Sequence, residues 1–319
     1  MSKKVLCVLP VAQRHKEKLE RAGKDCEFTY VSADAVTDDQ IAAAEIIIGC
    51  VPADRIRASE RLELLQLNTA GADPYIVKGV LAEKTVLTNA TGAYSKAVAE
   101  HALASCLMLQ KKLHLYRDAQ KRHEWTDFGT VTSMSDATVL VVGLGDIGRH
   151  FASLCRALGA YTIGVKRRSG EKPDCVDEMY TMDALHELLP RADVVFSVLP
   201  GTKAVYHLYT DELFDLMKPS AIFINCGRGG AVAGDVLYRA LSEGKIASAA
   251  IDVTEPEPLG ADSRLWELDN LLITPHVSGY YHLPETFERI VDIAADNLER
   301  FTNGRELKNI VDFATGYKK

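Results

Sequence analysis

The stretch "TVLVVGLGDIGRH", residues 138–150, restricts the fold more than any other part of the chain. A nearly continuous apolar run meets Gly143, Gly145 and Gly148, spaced G-x-G-x-x-G, and helical spacing follows. The pattern predicts a strand, a tight turn and a helix from Ile147 to about Leu158. A further apolar run, YTIGV at 161–165, predicts the next strand. In a strand–turn–helix–strand unit the first glycine allows the turn. The second lets backbone approach a bound group, and the third lets helix and strand pack closely. The helix start then offers free N–H groups and the positive end of its dipole, which suits a pyrophosphate. Gly143, Gly145, Asp146, Ile147 and Gly148 are therefore the expected phosphate-side residues of a dinucleotide site.

The residues directly after the second strand depart from the usual pattern. An acidic residue normally stands there, bonds the adenosine ribose 2′-hydroxyl and repels a 2′-phosphate. This chain has Lys166, Arg167, Arg168 and Ser169. Cations at that place gain charge-assisted bonds to a phosphate, about 1.5–3 kcal/mol each before desolvation and ordering are subtracted. NADP(H) is accordingly the expected cofactor, with NAD(H) as the alternative. The sequence leaves open which arginine makes the contact.

At 319 residues the chain is too long for one typical core. Short apolar runs at 4–9, 45–49, 63–68 and 85–88 alternate with helix-compatible segments and predict a first α/β unit with a mostly parallel sheet. A second series comes at 138–143, 161–165, 193–199, 221–226, 248–253 and 271–275, with runs apolar enough for strands buried on both faces. Two long helices are predicted, over 95–125 and 283–304. Together these give an α/β protein in which a Rossmann-type cofactor domain, 99–287, is inserted into a smaller flavodoxin-like substrate domain built from 1–98 and 288–319. The net charge of −7 disfavours a nucleic-acid partner. No apolar run approaches the roughly 20 residues that span a bilayer. "MSKKVLCVLP" reads as a first strand, which makes the cytoplasm the expected compartment. Seven scattered cysteines without a C-x-x-C pair suggest reduced thiols, with no metal site.

Ligands of open parallel sheets bind beyond the carboxyl ends of the strands. Polar residues directly after apolar runs are therefore the candidates for chemistry. "AIFINCGRGGAV" places Arg228 there, "AAIDVTEPEPL" places Asp252, Glu255 and Glu257, and "LLITPHVSG" places His276. Arginine can grip a carboxylate through two parallel bonds. Histidine can move a proton near neutral pH, and a paired acid fixes its orientation. His15, His114, His123 and His186 lie in polar helical stretches, His101 and His150 are helical as well, and His207 and His282 are ambiguous.

With these motifs, together with "NTAGAD" (68–73), "AVAEHAL" (97–103) and "ADVVFSVLPGT" (192–202), the sequence resembles the D-isomer-specific 2-hydroxyacid dehydrogenases over nearly its whole length. The resemblance implies an oxidoreductase that passes a hydride between NADP(H) and a small 2-keto acid or D-2-hydroxy acid. It also implies a split substrate domain, an active site in the cleft and a homodimer. In that scheme Arg228 binds the substrate carboxylate and polarises the keto oxygen, and His276 is general acid or base. The scheme selects Glu257 as partner of His276, with Glu255 as the alternative in the repeated "EPEP". The backbone amides of Ala70 and Gly71 would hold the substrate carboxylate. Leu199, Pro200 and Cys226 would lie along the cofactor, and Asp252 would contact the nicotinamide carboxamide.

Ala233, "DVT" and the two tyrosines of "SGYYHLPET" depart from the family's common pattern. Tyr280, Tyr281, Tyr94, Trp266 and Phe128 become candidates to shape the substrate pocket. Glyoxylate/hydroxypyruvate reductase and a reductase of larger 2-keto acids are both open. A nucleotide-dependent, corepressor-like binding protein is the rival from another class.

Overall fold

The computed structural model describes residues 2–57 and 59–313. The chain divides into two compact units, one of residues 1–94 with 283–319 and one of residues 95–282. The joints expected at 98/99 and 287/288 would have cut two helices, Ser95–Gln110 and Pro284–Thr302. Each helix instead stays whole within one unit.

In the first unit β1 (Lys3–Cys7), α1 (Gln13–Ala22), β2 (Cys26–Tyr30), α2 (Asp38–Ala43), β3 (Ile46–Ile48), α3 (Ala53–Ile56), β4 (Leu64–Gln66) and β5 (Val86–Thr88) succeed one another. Their five strands form a parallel sheet in the order β2-β1-β3-β4-β5, the flavodoxin-like arrangement. The core gathers Leu6, Ile47, Leu65 and Leu87 from the strands with Ile41 and Ile56 from the helices. The closing helix Pro284–Thr302 packs on α1, where Glu288 bonds Arg14 and the buried His15 and Asp292 pairs with Lys18. Its buried Asn297 donates to Gln66 Oε1 at 2.7 Å and to Lys308 O at 3.0 Å. β2, CEFTY, is a strand that the apolar runs do not predict. It is an edge strand of alternating burial and carries no continuous apolar run.

The second unit begins with α4 (Ser95–Gln110) and α5 (Leu113–Lys121). The single helix expected over 95–125 is broken, because Lys112 takes a left-handed φ of 56° and the chain turns there. Then come β6 (Thr138–Val142), α6 (Asp146–Ala157), β7 (Tyr161–Lys166), β8 (Glu178–Thr181), α7 (Leu185–Leu188), β9 (Val194–Ser197), α8 (Asp211–Asp215), β10 (Ile222–Asn225), α9 (Gly234–Ser242), β11 (Ser248–Ile251) and β12 (Leu271–Ile273). The strands pair in parallel in the order β12-β11-β10-β9-β6-β7-β8. This is the doubly wound arrangement, with its switch point between β6 and β9. Leu140 and Val142 enter one core while Val139 and Val141 enter the other. Burial on both faces is why these strands read as unbroken apolar runs. Among the described residues no helix is long and apolar enough to cross a membrane, and all seven cysteines are free.

The edge strand β8 carries an ion-paired carboxylate, Glu178. Glu178 accepts from Arg191 Nη1 at 3.1 Å, Tyr161 Oη at 2.7 Å and Tyr180 Oη at 2.5 Å. The Arg191 guanidinium, and then the two tyrosine hydroxyls, hold its carboxyl down at about 2. A folded value below the unfolded one gives a stabilisation present at neutral pH and lost as the pH falls from the ordinary carboxylate range towards about 2. Glu178→Gln should therefore lower the Tm at pH 7, and its gap to the parent protein should narrow as the pH is lowered from about 5 to about 3. A gap that stays constant over this range in thermal melts would contradict the assignment.

Candidate active site

The glycine-rich turn comes directly after β6, at the switch point. Gly143 has φ +110°, and a Cβ on Gly148 would stand 2.2 Å from the Gly143 carbonyl oxygen, so α6 can lie against the turn only without a side chain there. Gly145 is the N-cap of α6, and a Cβ at this position would meet nothing within 4 Å. Open space thus faces the first turn of a twelve-residue helix, whose leading N–H groups, those of Asp146 and Ile147 among them, have no helical acceptor. This cradle fits the pyrophosphate of a dinucleotide. Lys166 is the last residue of β7, and Arg167, Arg168 and Ser169 continue from it, exposed. Among the described residues neither the Lys166 nor the Arg168 side chain has a hydrogen-bond or ion-pair partner.

Three adjacent strands, β10, β11 and β12, deliver the other candidates. The turn after β10 carries Arg228. Asn225 Nδ2 donates to the Arg228 carbonyl at 3.0 Å, and Asn225 Oδ1 accepts from Gly227 N at 3.1 Å. A Cβ on Gly229 would stand 1.9 Å from the Thr254 carbonyl oxygen, so the Arg228 turn lies directly on the loop after β11. That loop carries both candidate acids, and the structure separates them. Glu257 Oε1 lies 2.6 Å from His276 Nδ1, whereas Glu255 Oε2 lies 2.6 Å from His207 Nε2. A carboxylate only accepts, so His276 carries a proton on Nδ1 and keeps Nε2 for a second partner. Tyr206 stacks on His207 with ring centroids 3.9 Å apart and also bonds Glu255, which raises its hydroxyl pKa.

His276 has a left-handed φ of 52°. That conformation costs a non-glycine residue about 1–2 kcal/mol and needs support. Asp252 supplies it. His276 N donates to the Asp252 carbonyl at 2.8 Å. The Asp252 carboxylate accepts from Thr274 Oγ1 at 2.6 Å, Val277 N at 2.9 Å and Ser278 N at 3.1 Å. Asp252 is only 2% exposed, and the expectation of a nicotinamide contact gave no hint that its carboxylate fastens the His276 loop. His101, which sequence offered only as a helical histidine, reaches the same network, with Nε2 3.1 Å from Thr274 Oγ1. The spacing of Val98, Ala102, Ser105 and Leu109 puts it on the buried face of α4, and that was the available signal.

Leu199 and Pro200 come after β9, and Cys226 comes after β10 with its N–H bonded to Ser197 O at 3.1 Å. Burial, and then the charge of Asp252, push the Cys226 thiol pKa far up, away from nucleophilic use. Ala70 and Gly71 lie on the loop after β4 in the first unit. Among the described residues their amides donate no hydrogen bond. Of the aromatic candidates, Phe128 packs edge-on against Tyr116 and Trp266 Nε1 donates to Gly260 O at 2.9 Å. Tyr94 bonds Asn68 O, and Tyr280, 59% exposed, lies against Tyr281.

The sequence model of the D-isomer specific 2-hydroxyacid dehydrogenase NAD-binding domain matches residues 103–278. Glyoxylate/hydroxypyruvate reductase B of Salmonella newport is 34% identical over 254 residues, 76% of this chain and 76% of that protein. A D-isomer specific 2-hydroxyacid dehydrogenase family protein from Aeromonas salmonicida superposes with a TM-score of 0.86 at 31% identity, covering 98% of this chain and 100% of that one. The NADPH-dependent glyoxylate/hydroxypyruvate reductase of Sinorhizobium meliloti, solved with NADP and sulfate, gives a TM-score of 0.83 at 25% identity and covers 99% of this chain and 100% of its own.

The clasp on the His276 loop can be tested without substrate. Asp252→Ala should speed amide hydrogen exchange at Val277 and Ser278 by about tenfold or more, since each loses a bond to a charged acceptor. Unchanged protection over residues 274–278 would contradict it.

Proposed function

The chain belongs to the D-isomer specific 2-hydroxyacid dehydrogenase family, and on that footing we propose that it reduces small 2-keto acids to D-2-hydroxy acids with NADP(H) as preferred cofactor. The observation that carries this is the 2.6 Å Glu257–His276 pair, which joins the loops after β11 and β12, with Arg228 after β10, the next strand on the other side of β11. The reduced nicotinamide, when bound, supplies the hydride for the keto carbon. Arg228 grips the substrate carboxylate and draws charge onto the keto oxygen. His276 gives its Nε2 proton to that oxygen, so one hydride and one proton are added in all. Glu257 accepts from Nδ1, fixes the ring's orientation and stabilises the charged ring, which is the proton donor in reduction and forms again when the ring takes the proton in the reverse direction. The Gly145 cradle and the helix start behind it would hold the pyrophosphate, with Leu199, Pro200, Cys226 and Asp252 as further cofactor neighbours.

Two features support NADP(H) over NAD(H). No acid stands directly after β7, and the half-buried Lys166 and the exposed Arg168 have side-chain charges unpaired by any described residue. The likeness to glyoxylate/hydroxypyruvate reductases favours a small substrate of that kind over a large aromatic one.

Steady-state kinetics with glyoxylate and hydroxypyruvate should give a kcat/KM at least about tenfold higher with NADPH than with NADH, the scale of one charge-assisted bond. Lys166→Ala with Arg168→Ala should erase most of that ratio by lowering the NADPH value. A parent protein that prefers NADH would overturn the cofactor assignment. Arg228→Ala should lower kcat/KM for the keto acid about a hundredfold or more while NADPH still binds. Full turnover in that variant would overturn the site.

A further inference from the structure

We propose that His101 is a positioning residue for His276, acting through a directed hydrogen-bond chain from His101 to Thr274 to Asp252. The proposal rests on the reading of His276 as the proton donor.

The chemistry of its members sets the direction of the chain. Asp252, as a carboxylate, can only accept. Thr274 has one hydroxyl hydrogen, and its oxygen lies 2.6 Å from Asp252 Oδ1, so that hydrogen goes to the carboxylate. The same oxygen lies 3.1 Å from His101 Nε2 and must accept there, so His101 carries its hydrogen on Nε2. The hydroxyl is thereby polarised towards Asp252, which strengthens the bond it donates. Asp252 is 2% exposed, and a carboxylate so buried depends on each of its donors. Its other donors are Val277 N and Ser278 N, the two amides next after His276, while its carbonyl accepts from His276 N. The left-handed backbone of His276 is thus fixed from both ends of one residue, and His101 sets the orientation of that residue's nearest side-chain donor.

The helix presents His101 to this network. Val98, Ala102, Ser105 and Leu109 are buried on the same face, and α4 packs against β10 and β11. Every member of the chain lies in the second unit. Neither the hydride nor the proton passes through His101 in the proposed reaction, so it acts on the proton transfer through Asp252 and the placement of His276.

The test uses the whole enzyme with NADPH and glyoxylate. His101→Leu should lower kcat about tenfold or more, as small misplacements of a catalytic group do, with little change in KM or in the NADPH Kd. Thr274→Val should do the same. The double variant should lose no more than the worse single one, because the chain acts as a unit. His101→Gln, which keeps a donor of similar reach, and Thr274→Ser should recover most of the loss. Wild-type kcat in His101→Leu, fully additive losses in the double variant, or equal losses in His101→Gln and His101→Leu would each overturn the proposal. His276→Ala is run alongside. If it turns over normally, the reading of the active site fails. If it is inactive while any of the overturning results holds, the positioning chain alone fails.

Discussion

Parallel pairing is the constraint from which the site arises. When every strand of a sheet runs the same way, all their carboxyl ends open at one edge, and each must lead into a loop that returns over the sheet. The seven-stranded sheet obeys this without exception. Residues as distant in sequence as Gly143, Lys166, Arg228, Glu257 and His276 therefore end on the same edge. The switch in winding between β6 and β9 gives the glycine-rich turn its opening, and the run β10–β11–β12 sets the three polar loops in order.

On that edge precision comes from buried polar contacts. The Asp252 carboxylate is almost entirely enclosed, and it is stable there because three donors converge on it. Those donors belong to the loop that holds His276 in a left-handed backbone. Local strain and buried charge are each unfavourable alone. Here they sit in one network, which restricts His276 more tightly than an exposed loop would. The close approach of Gly229 to Thr254 has a similar effect on Arg228, seating its turn on the loop that carries Glu257.

How far the sequence revealed this depended on whether the signal was local. Strands with both faces buried, such as β6 and β10, read as apolar runs because no position faces water. β2 and β8 escaped notice because neither CEFTY nor EMYT carries a continuous apolar run. The break at Lys112 left no glycine or proline to mark it, and the backbone turns there through a left-handed lysine. The Gly143–Gly148 turn, Arg228 and His276 were visible from their places after apolar runs. Between Glu255 and Glu257 the resemblance selected Glu257, while the residues alone left both open, since the two acids share a loop and each has a histidine at 2.6 Å. His101 was hidden for a different reason: its partner lies 173 residues away, and helical spacing shows that a face is buried without showing what it meets.

On the proposed function, this edge adds a hydride and a proton across a 2-keto group. This addition is tested most directly by incubating the enzyme with NADPH deuterated at nicotinamide C4, on the transferred face, together with hydroxypyruvate or glyoxylate, and examining the product by mass spectrometry and NMR. The expected product is a 2-hydroxy acid with one deuterium on C2, of D configuration where C2 is a stereocentre, and this transfer should be lost when His276 is replaced by alanine. A product without deuterium at C2, or transfer undiminished in the alanine variant, would contradict it.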